Sequence, residues 1–518
     1  MNVGWISSTG MGRVLKALAI PVIVALLALA TALPAAAQGA GTTIYLPMVP
    51  RNQQLLIADP QWVSPFGIDI YGTLSASTGL IEMKNAGASW VVTYFGWQDV
   101  EPVRGAANWA SYDAQFLAAK KAGMEIGVLV SGVPNWARGT TYPYTGGGPG
   151  MLVAEFADFL ARAAERYDGD GVADAPGSPV VKYWTLFAEP DYCGFLQNGV
   201  CTPRSEGEAF KGGWGMSGAA YAAMLQEARD AIKRAAPNAV VTNGGLAFDY
   251  FFGETYPTPS NPNRQGIYVR NFLADVIAAG GRQYMDMLAV HFYPVTMSNW
   301  VDKLAALYNT ARDGTQRQQM LSLPLISPEM GFWSSEAGGS SEQMQAIRLV
   351  QMFTRGLSQG IQRMAWFAVF DGSPDIPTEI HGLFRGNDLN SPKPAYWAYK
   401  TLTFQLHGFR YERAYYTEAG SPTGWDHEAY LFHRRADDAR MLVAWANPGS
   451  QNPDGVSEVV VDGPQVTVVN MLGGLSQSNP YDFQRLVIQD GSANDADGQA
   501  NGRVTVRVTQ EPVYILLP

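Results

Sequence analysis

The chain has 518 residues, enough for two folded units and a large core. Charged residues are sparse at 16%, and 46 Asp and Glu outweigh 36 Lys and Arg to leave a net charge of -10. With no basic cluster along the chain, this balance argues against a nucleic-acid partner. The 14 Trp and 24 Tyr supply core, and also flat rings of the kind on which sugar C–H faces stack; composition does not separate the two uses.

Residues 1–37 read as an export signal. Arg13 and Lys16 precede an apolar run from Ala17 to about Leu33, and Ala35-Ala36-Ala37 supplies a small-residue cleavage site. The alternative is an uncleaved anchor to the cell surface, since the run is nearly long enough to span a bilayer. No other segment is apolar enough to cross a membrane, so none is expected to stay inserted after cleavage. Residues 38–55, rich in Gly, Thr and Pro, form a linker.

From 56 to 407 short β-rich runs alternate with amphipathic stretches. Strands are expected at Gly67–Tyr71, Trp90–Tyr94, Glu125–Val130, Val180–Phe187, Ala239–Thr242, Met285–His291, Leu323–Ser327 and Arg363–Val369. Helices are expected at Ser75–Asn85, Trp109–Ala122, Leu152–Tyr167, Ala219–Ala235, Ile267–Ala279, Met297–Ala311, Ser341–Ser358 and Pro394–Leu406. Eight β-then-α units indicate an α/β fold of the (β/α)₈ TIM-barrel type. The rival, an open doubly wound sheet, calls for a glycine-rich phosphate turn after its first strand, and there is none. From 408 to 518 helical periodicity gives way to short alternating runs punctuated by Asn447-Pro448-Gly449 and Asn452-Pro453-Asp454-Gly455, the pattern of a small all-β sandwich.

Within the barrel two runs stand out. Trp184-Thr185-Leu186-Phe187-Ala188-Glu189-Pro190 and Pro324-Leu325-Ile326-Ser327-Pro328-Glu329-Met330-Gly331 each end a strand-like stretch in one glutamate. A barrel places its chemistry at the C-terminal ends of its strands. Strands four and seven face each other across the mouth, and retaining glycoside hydrolysis needs two such carboxyl groups about 5–5.5 Å apart. Each glutamate has a structural alternative, a buried carboxylate paired with an Arg or an amide. Cys193 and Cys201, the only cysteines, lie just after Glu189; in an exported protein the close pair reads as a disulfide, the alternative being two free thiols.

Further motifs resemble clan A of the glycoside hydrolases. Trp97-Gln98-Asp99-Val100-Glu101-Pro102, with Trp109 and Asp113, is similar to the opening of those barrels. Gly127-Val128-Leu129-Val130 with Pro134-Asn135-Trp136-Ala137 is similar to their third strand, Val290-His291-Phe292-Tyr293-Pro294 to the sixth, and Trp366 to the tryptophan of the eighth. The tail ending Pro512-Val513-Tyr514-Ile515 resembles the sandwich that several such families append. The resemblance covers nearly all of 57–518 and leans toward the β-xylosidase and iduronidase branch.

It implies Glu189 as general acid/base and Glu329 as nucleophile, with Tyr293 hydrogen-bonding the nucleophile and Trp97, Trp136, His291 and Trp366 lining the substrate site. For the three tryptophans and His291 the alternative is a core position; Trp214 and Trp333 are divided between sugar platform and loop packing. The negative charge of Glu329 is expected to raise the pKa of Glu189 and keep the acid protonated. Two positions depart from the clan. Ala188 stands where an Asn that holds the sugar 2-hydroxyl is usual, and Trp90-Val91-Val92-Thr93 lacks an early Arg. Either another residue does this work, or the substrate differs at its 2-position, or turnover is reduced or lost.

Two other patterns carry less. Gly356-Leu357-Ser358-Gln359-Gly360 has the form of a nucleophile elbow, but a helix precedes it and a strand follows, the reverse of the required order. Asp168-Gly169-Asp170-Gly171 with Asp174 reads as a turn or a calcium loop, without the remaining EF-hand ligands. The reading is therefore an exported retaining glycosidase acting on plant or microbial polysaccharides or oligosaccharides. It needs no cofactor and no metal. The alternative is a catalytically inactive barrel that binds glycans without turnover.

Overall fold

The computed structural model describes residues 62–140, 142–253, 266–294, 297, 299–415, 426–449, 452–473 and 484–518. The expected export signal (1–37) and linker (38–55) lie outside the described residues. Eight strands run parallel: β1 (Phe66–Asp69), β2 (Trp90–Gly96), β3 (Glu125–Ser131), β4 (Val181–Leu186), β5 (Val240–Asn243), β6 (Leu288–Ala289), β7 (Leu325–Met330) and β8 (Ile361–Phe367). Their order is β5-β4-β3-β2-β1-β8-β7-β6. Bridges from Thr242 to Met287 and from Leu246 to Val290 join β5 to β6 and close the sheet into a barrel.

Strands of this kind are buried on both faces, which is why they read as nearly continuous apolar runs. Trp90, Val92, Tyr183, Met287, Ala289, Ile326 and Ala365 fill the barrel interior. Val91, Trp184, Val241, Leu288, Met364 and Trp366 point the other way and pack beneath the helices. At the N-terminal end Glu125 pairs with both Lys182 and Arg363, and the Arg363 guanidinium lies 5.3 Å from the Tyr183 ring centroid. Ion pairs thus plug the bottom, and the chemistry is left to the top.

Each expected strand falls on an observed one, although Met285–His291 is laddered only at Leu288–Ala289. Three helical expectations change and one helix is additional: Ser75–Asn85 divides into a 3-10 turn, Ala76–Thr78, and a helix, Leu80–Asn85, and Met297–Ala311 shortens to Trp300–Tyr308. Ile267–Ala279 shortens to Phe272–Ala278, because Tyr268 is bridged to Tyr192 and Phe251 and its backbone is spent on sheet pairing. A helix over Gly314–Leu321 has only Gln316 and Met320 buried, so it carries almost no apolar periodicity; Asp313 caps it, accepting from the Gln316 amide at 2.8 Å. Among the described residues no helix is long and apolar enough to cross a membrane.

After the last barrel helix, Pro394–Gln405, the regular elements among the described residues are all β. The strands are β9 (Arg410–Ala414), β10 (His427–Arg434), β11 (Ala439–Ala446), β12 (Val456–Asp462), β13 (Gln465–Asn470), β14 (Arg485–Gln489), β15 (Arg503–Thr509) and β16 (Val513–Leu516). An antiparallel sheet of order β9-β10-β11-β16-β13-β14 is covered on one face by the β12–β15 pair. Alternation divides the side chains: Ala429, Leu431, Leu442, Ala444 and Ile515 face that pair, while Tyr430, Phe432, Val443, Trp445 and Tyr514 join the barrel core. A TIM barrel followed by a β-sandwich is therefore the observed fold.

One ion pair ties the two layers. Arg355, on the barrel helix Glu342–Ser358, donates to both oxygens of Glu428 at 2.6 and 3.0 Å and lies 5.3 Å from the Trp445 ring. Burial disfavours the Glu428 carboxylate, but Arg355, Tyr430 and Asn447 outweigh it and hold its pKa below the ordinary value. Removing one partner of such a buried pair strands the other charge. Arg355→Met should cost about 3 kcal/mol in urea denaturation at neutral pH. A depressed carboxylate contributes its stability above the unfolded-state pKa and loses it as the pH falls. The gap between wild type and variant should therefore narrow in acid.

Candidate active site

The glutamates reach the barrel mouth by two different backbone devices. On β7, Ser327 pairs with Met364 and Met330 with Trp366, so two residues, Pro328 and Glu329, stand opposite Ala365 alone. This bulge resets the alternation. Without it Glu329 would share the outward face with Ser327; with it the carboxylate enters the barrel beside the inward-facing Ala365. After β4, Phe187 and Glu189 both take positive φ, 66° and 41°, on either side of Ala188. Left-handed conformations at non-glycine residues cost of order 1–3 kcal/mol each and gather at functional sites. Here Phe187 turns outward onto Phe156 and Trp214, and Glu189 turns over the mouth.

The carboxylates converge on one imidazole. His291 Nδ1 lies 3.4 Å from Glu189 Oε1 and 3.7 Å from Glu329 Oε2. One oxygen of each glutamate and one ring nitrogen of His291 all sit within 4.8 Å of one another. Gly245 makes this possible, because a Cβ there would lie 2.0 Å from the ring. Tyr293 Oη donates to Glu329 Oε1 at 2.6 Å. Tyr268 Oη and Lys211 Nζ both donate to Glu189 Oε2, at 2.6 and 2.5 Å.

Lys211 overturns the expected protonation of Glu189. Burial by itself raises the glutamate's pKa, but the Lys211 charge, His291 and the Lys211 hydrogen bond outweigh it and carry the value well below the ordinary range. The resting carboxyl is therefore ionised. For His291, burial disfavours the cation, while Glu329 and Glu189 favour it more strongly and raise its pKa. Asp191, two residues beyond Glu189, is pushed up to about 6, chiefly by burial; it accepts from the Ala247 and Phe248 amides at 3.2 and 2.8 Å and so fastens the β5–β6 connection beside the site.

These groups open on a cavity of about 890 Å³. Glu189, Glu329 and His291 line it, with Ala188, Asp69, Tyr71, Phe210, Lys211 and Phe367. Trp97, Trp136 and Trp366 do not, so their expected substrate contacts are corrected. Trp97 is fully buried and donates to Glu101 Oε2 at 3.2 Å, leaving its neighbours Gln98 and Asp99 to face the cavity. Trp136 packs edge-on to Trp97 and donates to the Glu101 carbonyl at 3.0 Å. Trp366 faces the helices because Ala365 faces inward; the next inward position belongs to Phe367. Trp214 is core, and Trp333 packs on Phe332 and donates to the Gly338 carbonyl.

Cys193 and Cys201 form a disulfide across a hairpin of Phe195–Gln197 and Val200–Thr202. The loop that follows returns Lys211 to Ala188: the two pair as a bridge, the Gly212 amide donates to the Ala188 carbonyl at 3.1 Å, and Tyr142 Oη donates to the Lys211 carbonyl at 2.9 Å. Gly356–Gly360 ends a helix before β8, as expected. Oxygens of Asp168, Asp170 and Asp174 lie within 4.8 Å of one another, and each carboxylate accepts a nearby backbone amide, from Asp170, Val172 and Gly171, an arrangement that builds the turn. Glu189, His291 and Glu329 have a ligand-like spacing as well, but the Lys211 ammonium already supplies the positive charge that a cation would bring.

No protein-family model matches the sequence, and no curated protein does. Solved structures do match. A family 39 glycoside hydrolase from Bacteroides cellulosilyticus aligns with a TM-score of 0.58 at 15% identity, over 88% of this chain and 81% of that one. A family 30 endoxylanase from Clostridium papyrosolvens gives 0.52 at 13%, over 88% and 96%. A glucosidase from Croceicoccus marinus gives 0.53 at 14%, over 87% and 94%. The likeness is one of fold, and the neighbours are glycoside hydrolases, in keeping with the clan resemblance of the motifs.

The Lys211 clamp has a direct spectroscopic consequence. In carboxyl-carbon NMR, with Glu189→Gln used to assign the signal, wild-type Glu189 should titrate well below an ordinary glutamate. In Lys211→Met its midpoint should move upward.

Proposed function

We propose that this protein is an exported retaining glycoside hydrolase, with Glu329 as nucleophile and Glu189 as acid/base. The observation that carries the reading is the approach of the two carboxylates to within 4.8 Å at the mouth of the barrel. That separation suits direct attack on the anomeric carbon and leaves no room for the intervening water of an inverting enzyme. The glycosidase neighbours and the cavity support a carbohydrate as substrate. The apolar N-terminal run and the disulfide support export.

In the first step Glu329 attacks the anomeric carbon as the glycosidic bond breaks, and Glu189 protonates the departing oxygen. Tyr293 orients the nucleophile. Glu189 must acquire a proton before this step, and His291, whose cation is favoured by both carboxylates, is the neighbour that holds one 3.4 Å from Oε1. In the second step Glu189, ionised again beside Lys211, takes a proton from water as the water opens the glycosyl ester. The low pKa imposed by Lys211 favours this returning state.

A second reading, a glycan-binding barrel without turnover, draws on the lining position of Ala188, where no amide reaches a sugar hydroxyl, and on the ionised resting state of Glu189. Kinetics on aryl glycosides decides between them. Loss of a general acid/base typically costs 10²–10⁴-fold. Glu189→Ala should lose about that much, with azide restoring turnover and yielding a glycosyl azide of retained configuration. Glu329→Ala should be inactive and give no such product. A wild type that cleaves no aryl or natural glycoside favours the binding protein.

A further inference from the structure

Asp69 is a third carboxyl group at the barrel mouth, and the reaction just described does not use it. It ends β1, lines the cavity, and is only 7% exposed. Among the described residues no protein donor reaches its side chain: burial and then the charge of Glu329 are the influences on it, and both raise its pKa. A buried carboxyl without a hydrogen-bond partner is costly unless something else supplies one. Its neighbours indicate what that is. Tyr71, two residues on, is 73% exposed, and its ring meets Phe367 at 6.2 Å, so an aromatic corner stands beside the polar group. This side of the cavity holds Glu329, the group that attacks the anomeric carbon, so it receives the sugar whose bond is cleaved. Phe210 and Lys211 lie on the Glu189 side, where the leaving group departs.

The charges lining the cavity are strongly one-sided. Asp99, Glu189, Glu329 and Glu379 line it, His291 is held between two of them, and among the described residues Lys211 is the one lysine or arginine that joins them. Its ammonium is already committed to Glu189 and lies 2.9 Å from Tyr268 Oη. An anionic sugar would meet repulsion from several carboxylates with no free cation to receive it.

We propose that Asp69 grips adjacent hydroxyls of an uncharged sugar in the subsite beside Glu329, and that the acidic lining excludes sugars bearing a carboxylate or sulfate. This rests on the glycosidase reading of the site and selects, between the two substrate types suggested by the motifs, the neutral one. A protonated carboxyl both donates and accepts, so it serves two neighbouring hydroxyls at once. An amide can do the same, which separates the conservative variant from a truncation.

The test measures calorimetric binding of D-xylose, D-glucose and D-glucuronate, and hydrolysis of their aryl β-glycosides, by wild type, Asp69→Asn and Asp69→Ala. Binding of a neutral sugar without glucuronate binding is expected. Asp69→Ala should weaken that binding at least tenfold and lower kcat/KM about a hundredfold, and Asp69→Asn should recover most of both. The proposal is overturned if glucuronate or its glycoside does as well as the neutral compounds, if Asp69→Ala matches wild type, or if no neutral sugar binds. Asp69-dependent binding of neutral sugars without hydrolysis would sustain this inference while removing the hydrolase reading. Hydrolysis indifferent to Asp69 would do the reverse.

Discussion

In a closed parallel barrel a side chain has two places to go: inward among the other strands, or outward beneath the helices. Along a regular strand the two alternate, and the strand-borne side chains at the mouth of this barrel are sorted by that rule and by one departure from it. Ala365 and Phe367 face in, so Trp366 is committed to the core and its ring is withheld from the cavity. The same rule would have turned Glu329 away from its partner. One added residue on β7 reverses that, and the only sequence trace of it is Pro328 next to the glutamate. A proline lacks the amide that a continuous ladder needs, so a bulge is where it is tolerated.

The second constraint is charge. Glu189 and Glu329 are held closer than two carboxylates would settle by themselves, and the cost is offset locally. Lys211 neutralises one directly, and His291 stands between both. The Lys211 loop is in turn fixed by backbone contacts with Ala188 and Tyr142, downstream of a hairpin closed by Cys193 and Cys201. The disulfide thus bears on the site at one remove: it shapes the excursion that returns a lysine to Glu189.

The architecture was largely legible. Eight apolar runs separated by amphipathic stretches are what a two-sided parallel sheet requires, and the change to alternating runs after the last helix marks the sandwich. The two glutamates are legible because each ends a strand-like run, and Asp69, closing Phe66-Gly67-Ile68, carries the same mark. Lys211 and Tyr268 carry no such mark. Each comes from a connection between strands, where neither period two nor period 3.6 applies, and each reaches Glu189 only through tertiary contacts. The tryptophans failed for the opposite reason: a motif gives residue type, while strand register decides which neighbour faces the cavity.

Lys211 also bears on the position that departs most from the clan. Ala188 leaves the cavity wall without an amide, and its strand-like pairing with Lys211 brings an ammonium to the same cavity. An amide there would leave Glu189 electrically undisturbed. An ammonium does not: it deepens the ionised state, which disfavours proton donation and favours proton abstraction. Under the proposed mechanism such a site depends on a second proton carrier for its first step, and His291 is buried, touches both carboxylates and has its cation favoured by each. In the proposed mechanism, replacing a neutral donor by a charged one on the wall shifts the burden of the acid step from Glu189 alone to the Glu189–His291 pair. It leaves the base step, in which Glu189 begins ionised, as the easier half of the cycle.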